Sequence, residues 1–215
     1  MLQRLIEVVS HEDTPPYEKA ISLAQLYVNA GENEKAIEQL RTAHQLRPQE
    51  SAILEQMFNI ALAKKETWPV AENECIPKLI ELGATRAGGR FHRGRLALAK
   101  AETAARENNA AEVRVQADLA RREVEAGLNE FPSYPDGYVL LGQAQFLLNL
   151  SEEAQQSLAK ALELNPRHTS AVLLMYNLAR FRGDEAQRQL YVRRLAELNP
   201  THPIVLKERQ EAEDQ

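Results

Sequence analysis

The chain has 215 residues, 44% of them apolar and 27% charged, with nine glycines, a formal net charge of −5 and a single cysteine. This length allows one or two ordinary domains, or one elongated array of about five to six helical units, and the wealth of Ala, Leu, Glu, Gln and Arg favours packed helices. The acidic balance, 31 Asp and Glu against 26 Lys and Arg, argues against a nucleic-acid footprint. No run approaches the ~20 consecutive apolar residues of a membrane span, and Cys75 alone supports neither an internal disulfide nor a multi-thiolate metal site.

Residues 1–16 open with Leu2, Leu5, Ile6 and Val9 on one helical face. No partner helix precedes them, so they read as the second half of an incomplete unit, either a cap or the cut edge of a longer array, the cut edge being the favoured reading. Arg4 and Glu7 interrupt the stretch, which is too short for a secretory signal. The expected compartment is the cytoplasm, or the periplasm if the chain is an excised piece of a longer protein.

Over 17–48, Ala20, Leu23, Ala24 and Tyr27 recur at i, i+3, i+4, i+7 and predict one helix. Gly31 and Glu32-Asn33-Glu34 give a stop and restart. A second helix turns Ala36, Ile37, Leu40, Ala43 and Leu46 inward until Pro48 ends it. Pro132, Pro166 and Pro200 then follow one another at intervals of 34 residues, the last two closing the phrase Glu-Leu-Asn-Pro. A fixed period of this kind marks stacked helical hairpins.

The series Ala20, Leu23, Ala24, Tyr27, Gly31, Ala36, Leu40, Ala43, Pro48 resembles the tetratricopeptide repeat, in which small residues at positions 8, 20 and 27 let helices approach closely. Residues 135–166 repeat it with Tyr138, Leu141, Gly142, Ala154, Leu158, Ala161 and Pro166, departing at position 11, where Gln145 stands. Residues 169–200 keep Val172, Met175, Gly183, Val192 and Pro200 but carry Tyr176 and Arg188 where small residues belong. Their helices are expected to pack further apart, as in a terminal unit.

The centre is irregular. From Pro48 to Pro132 there are 84 residues, 16 more than two periods. Residues 51–85 read as a degenerate unit: a sound first helix (Ile53, Leu54, Met57, Phe58, Ala61, Leu62), then a displaced second helix that Pro77 should start or kink. Residues 88–132 read as a long hairpin, with helices over about 90–107 and 111–130 joined at Glu107-Asn108-Asn109. At the end, 203–215 reads as a capping helix (Ile204, Val205, Leu206) with a polar, frayed tail.

The resemblance implies an all-α, right-handed α-solenoid of about five hairpins forming one domain over 1–215, acting as a non-enzymatic scaffold that takes a peptide or protein partner on its concave wall. Carried onto this chain, the concave positions give Glu18, Ile21, Gln25, Val28 and Asn29 in the first unit. The 135–166 unit gives Asp136, Val139, Gln143, Phe146 and Leu147, and the 169–200 unit Ser170, Leu173, Asn177, Arg180 and Phe181. The candidate groove is Val139, Gln143, Phe146, Leu147, Leu173, Asn177, Arg180 and Phe181, suited to an apolar peptide or helix whose backbone the amides could bond. The same apolar residues could instead be core against a neighbouring helix. The Lys and Asn of the family's chaperone carboxylate clamp are not matched, since those places hold Ile21 with Gln25, Val139 with Gln143, and Leu173 with Asn177.

Arg86, Arg90, Arg93 and Arg95 form the one dense basic patch, either a solvated loop or an anion site at a helix start. The five histidines, His11, His44, His92, His168 and His202, show no metal-ligand or protease spacing, and no Gly-rich phosphate loop is present. No enzyme activity, cofactor or metal is expected. An alternative reading makes the chain a structural segment of a larger bacterial export or assembly machine, docking or forming homo-oligomers through the 90–130 hairpin.

Overall fold

Four alanines explain why the first hairpin closes. The computed structural model, which describes residues 2–11 and 13–213, places α2 (Pro16–Asn29) against α3 (Asn33–Leu46). Ala20 and Ala24 on one helix and Ala36 and Ala43 on the other are all buried at the contact. Short side chains there let Ile37 and Leu40 interlock with the facing helix, ridge into groove. Gly31, at φ +74°, makes the reversal in the left-handed region that other residues avoid.

The backbone separates into two units, Met1–Thr103 and Ala104–Gln215. Among the described residues every regular element is helical.

In the first unit, α1 (Leu2–His11) packs on α2. Ile6 and Val9 are half-buried, while Leu5 and Val8 stay exposed; the Leu2 side chain lies outside the described ones. Helix α4 (Ser51–Ala61) follows α3, and its Ile53, Leu54, Met57 and Phe58 have essentially no exposure. Each such side chain contributes about 1.5–3 kcal/mol relative to leaving it in water. The end of α4 is tied off by a one-turn 3₁₀ segment, Lys65–Thr67. The Thr67 hydroxyl points at the carbonyls of Ala61 and Lys64, each at 2.9 Å, and the Trp68 indole N–H donates to Leu62 O at 3.3 Å. The Ala61 and Leu62 carbonyls would otherwise be left over at a helix end.

The next helical run starts earlier than the sequence suggests and does not begin at Pro77. It comprises α5 (Trp68–Val70), a π-helical stretch (Ala71–Cys75) and α6 (Ile76–Glu81). Proline inside a helix has no N–H to give and crowds the carbonyl four residues back. Here the turn before it is widened, with the Ile76 N–H bonding Ala71 O, so the helix passes through Pro77 instead of ending. Cys75 lies in this wide turn, fully buried, and burial pushes its thiol up to about 12. It is packing, not chemistry.

A left-handed stretch then leads into α7 (Arg90–Arg106): Ala87, Gly88 and Gly89 have φ of 49°, 53° and 76°. Gly89 is required twice over, since a Cβ there would stand 2.9 Å from Ile80 Cδ1. In the second unit, α8 (Ala110–Glu130) begins with the Asn109 side chain accepting from the Glu112 N–H at 3.2 Å. At 17 and 21 residues, α7 and α8 hold the length by which the period is exceeded.

The second unit continues with α9 (Pro135–Leu147), α10 (Ser151–Leu164), α11 (Thr169–Arg182), α12 (Glu185–Leu198) and α13 (Pro203–Glu213), each packed on its predecessor, with α9 also beside α11. Val139, Leu158, Val172, Met175, Leu195 and Val205 centre its core. Gln145, the departure at position 11, is buried and accepts a hydrogen bond from the Ser157 hydroxyl at 2.7 Å, so the polar substitution is answered from the facing helix. Tyr176 and Arg188 are answered by α13. The Tyr176 hydroxyl donates to Glu208 at 2.6 Å, Arg188 pairs with the same carboxylate, and Val205 seals the core at 1% exposure. Helix α13 packs on α12 through these contacts; residues 214 and 215 of the tail lie outside the described ones.

The period also shows in the side-chain bonds that stitch neighbouring hairpins. Tyr17 to Glu50 (2.9 Å), Arg41 to Glu74 (2.7 and 2.8 Å), His168 to Asp136 (3.0 Å) and Tyr176 to Glu208 all span 32 or 33 residues.

A candidate partner-binding face on helices α9 and α11

Two first helices lying side by side present residues of the same register to the same face. On α9 these are Val139, Gln143 and Phe146; on α11 they are Leu173, Asn177, Arg180 and Phe181. The structure sorts them by depth. Val139 belongs to the core, at 6% exposure, and gives a partner almost nothing to touch. Leu173 is half-buried against that core. Gln143 and Phe146 are half-buried, and Asn177, Arg180 and Phe181 are exposed.

Phe181 is the outlier. It is 65% exposed, the most exposed of the large apolar side chains among the described residues, and its ring meets Phe146 edge to face, 5.4 Å between centroids at 83°. Such a pair contributes about 0.5–1.5 kcal/mol beyond area burial and holds the outer ring in one place. The same two helices carry the amides of Gln143 and Asn177 and the guanidinium of Arg180, which are donors for a backbone or carboxylate.

Arg180 also edges a polar pocket of about 400 Å³, shared with Tyr176, Arg188, Lys207 and Glu208. Burial, and then the bond to Glu208, push the Tyr176 phenol up, so it stays a neutral donor. Leu147, by contrast, lies elsewhere: it lines a groove beside α8 together with Leu148 and Leu150.

The basic patch is placed at the entry to α7. Arg93 donates to Gly88 O at 3.0 Å and so closes its own left-handed loop. Arg95 donates to Asn59 on α4 at 2.6 Å and lies 5.0 Å from the centroid of the buried Phe58 ring. Arg86 is exposed and Arg90 half-buried. Between them, His92 stacks edge-on against Phe58 and bonds Glu55 at 2.8 Å, which holds the Glu55 carboxyl below its usual range. Of the four arginines, Arg95 thus serves the α4–α7 contact and Arg93 its own loop.

Among the described residues no three His, Cys, Asp or Glu side chains are gathered as a metal site would need, and no helix is long and apolar enough to cross a membrane. The signal that the sequence hid was the pairing of Phe146 with Phe181. They lie 35 residues apart, one more than the period, and only helix packing brings their rings together.

The family model of the tetratricopeptide repeat matches residues 20–50 and 135–168. Among solved structures the fold is similar to a tetratricopeptide repeat protein from Parabacteroides merdae ATCC 43184, at 16% identity and TM-score 0.69 over 96% of this chain and 74% of that one. It is also similar to a thermophilic repeat protein of Thermus thermophilus, at 17% identity and TM-score 0.61 over 91% and 97% of the two chains. A third is MamA, from residue 41 to its end, of Desulfovibrio magneticus RS-1, at 18% identity and TM-score 0.52 over 89% and 99%. A search of curated proteins finds no match. At these identities the likeness is one of fold, an α-solenoid of helical hairpins, within which residues 20–50 and 135–168 are tetratricopeptide repeats.

Proposed function

We propose that this protein is a non-enzymatic interaction scaffold and that the α9–α11 face receives an apolar peptide or helix from a protein partner. The repeat residues are explained by packing alone, which leaves exposed side chains as the carriers of function. The observation that supports this face is the exposed Phe181 braced by Phe146. A protein gains little in stability from a phenylalanine left mostly in water, whereas a rigid aromatic anchor near a few amides is what a binding hot spot uses.

The test compares wild type with a Phe146→Glu/Phe181→Glu variant, both immobilised, against the same cell extract. A partner held by wild type and lost by the variant supports the reading, provided circular dichroism shows the variant helical. Equal retention by both would move the partner to another face.

A further inference from the structure

The groove that claims Leu147 is a second surface, independent of the α9–α11 face. Helix α8 has 21 residues and α9 has 13, and a four-residue turn sends the chain straight back from one to the other. At about 1.5 Å per residue, α8 therefore runs on past the end of α9 by about 12 Å. Its overhanging first turns and the α9–α10 corner enclose an open groove of about 960 Å³, lined on one side by Val113 and Val115 and on the other by Leu147, Leu148 and Leu150. Val115 is 60% exposed and Leu150 is exposed as well. These are apolar side chains on a protein arm that no repeat packing needs.

The dimensions favour a helix as occupant. Two turns of α-helix, about 11 Å long and 10 Å across, fill close to this volume. One wall is a helix and the other a corner whose Leu148, Asn149 and Leu150 N–H groups already bond the carbonyls of Ala144, Phe146 and Gln145, so an extended strand would find no ladder to join. Charge narrows the occupant further. The ionisable residues lining the groove are Arg114, Arg121, Arg122 and Asp118. Asp118 is shared by the two later arginines, at 2.8 Å from each, and Arg121 also reaches Glu125 at 2.9 Å. Arg114 is exposed and has no ion-pair partner among the described residues. Three cations stand against Asp118 and the neighbouring Glu125, which leaves the charge of Arg114 uncompensated in a chain of net charge −5. Within a Debye length of about 8 Å the local sign governs recognition.

We infer that the α8 overhang docks an acidic amphipathic helix, with the partner's apolar stripe laid between Val113, Val115 and Leu150 and a carboxylate facing Arg114.

The experiment titrates the 215-residue chain with two fluorescent peptides about four turns long, each with leucines at i, i+3, i+4 and i+7. One carries glutamate and the other lysine at the remaining positions. The acidic peptide is expected to bind in the groove, and Arg114→Glu or Val115→Glu to weaken it by about tenfold or more. The lysine twin should bind Arg114→Glu better than wild type. Both side chains are exposed on a helix that tolerates glutamate, so the variants keep the fold. Phe181→Glu should leave this titration unchanged, which separates the surface from the α9–α11 face.

Any of three results would overturn the inference. Equal affinity for both peptides would make the groove merely sticky, and no binding of either would leave it without a ligand of this class. Binding of a single-stranded oligonucleotide with the same arginine dependence would make it a polyanion site. Sedimentation of the protein alone adds a fourth: a dimer dispersed by Val115→Glu would assign the groove to a second copy of the chain.

Discussion

The edge of one phenylalanine ring, Phe146 or Phe181, meets the face of the other at 83° across α9 and α11, although Phe181 is 65% exposed. This arrangement separates binding from stability. Phe181→Ala removes a mostly solvated ring, so urea unfolding should move by no more than about 0.5–1.5 kcal/mol, the worth of the aromatic pair. Partner affinity should fall by more than tenfold if the ring is an anchor. Equal changes in the two measurements would count against the α9–α11 face.

Gly142 is a packing residue. A Cβ at this position would stand 2.8 Å from Leu158 Cγ and 3.3 Å from Ala154 O, between α9 and α10. Alanine favours helix by about 1 kcal/mol over glycine, yet the overlap forces the two helices apart at a buried leucine. Gly142→Ala should therefore lower stability by about 1–3 kcal/mol. An unchanged or raised melting temperature would show that Leu158 can yield.

The buried bond from Ser157 to Gln145 should behave as a pair. Gln145→Leu alone leaves a hydroxyl that must find a backbone acceptor, and Ser157→Ala alone leaves an amide without its donor. Each is expected to cost about 1–3 kcal/mol, whereas the double variant should be close to wild type. Simple additivity in that cycle would mean the two groups do not depend on each other.

The latch of α13 rests on Tyr176 and Arg188 meeting Glu208. Tyr176→Phe keeps the ring but removes the donor, and amide exchange in α13 should quicken while α9 and α10 keep their protection. Unaltered exchange in α13 would leave Val205 and the Arg188–Glu208 pair as what holds it.

Stability should fall with acid in two windows. Burial, with Lys78 nearby, lowers the His44 pKa below its usual 6.5, so the unfolded chain binds that proton more readily and stability declines as pH drops from about 6.5. The Arg41 bond holds Glu74 below its usual 4.5, so that contribution is intact above 4.5 and is lost as pH falls through the folded value. The pair is partly exposed, which limits it to about 0.2–1 kcal/mol. Glu74→Gln should lie below wild type at neutral pH and converge with it in acid. A constant gap would show that the pair does not titrate.

The hairpins of 17–48, 135–166 and 169–200 were legible because each helix announces itself three ways: an apolar stripe, a small residue at each close approach, and a glycine or proline at the turn. Residues 51–85 were legible only to Phe58 and Ala61. The run through Pro77 depends on a π turn, which no local pattern signals, since widening a turn is a response to packing on both sides. The groove was half legible: the register named Phe146, Leu147 and Phe181 together, but two neighbours on a helix face about 100° apart, and Leu147 went to the α8 side.

Sequence alone determined the repeat and its register, because small residues and prolines at a 34-residue period act through the nearest helix and leave a local trace. Tertiary structure decided which apolar residues are core and which are surface. Val139 and Phe181 are both large and apolar on equivalent first helices, and exposure of 6% for one and 65% for the other is set by what the neighbouring helices cover, a fact no single segment of chain contains.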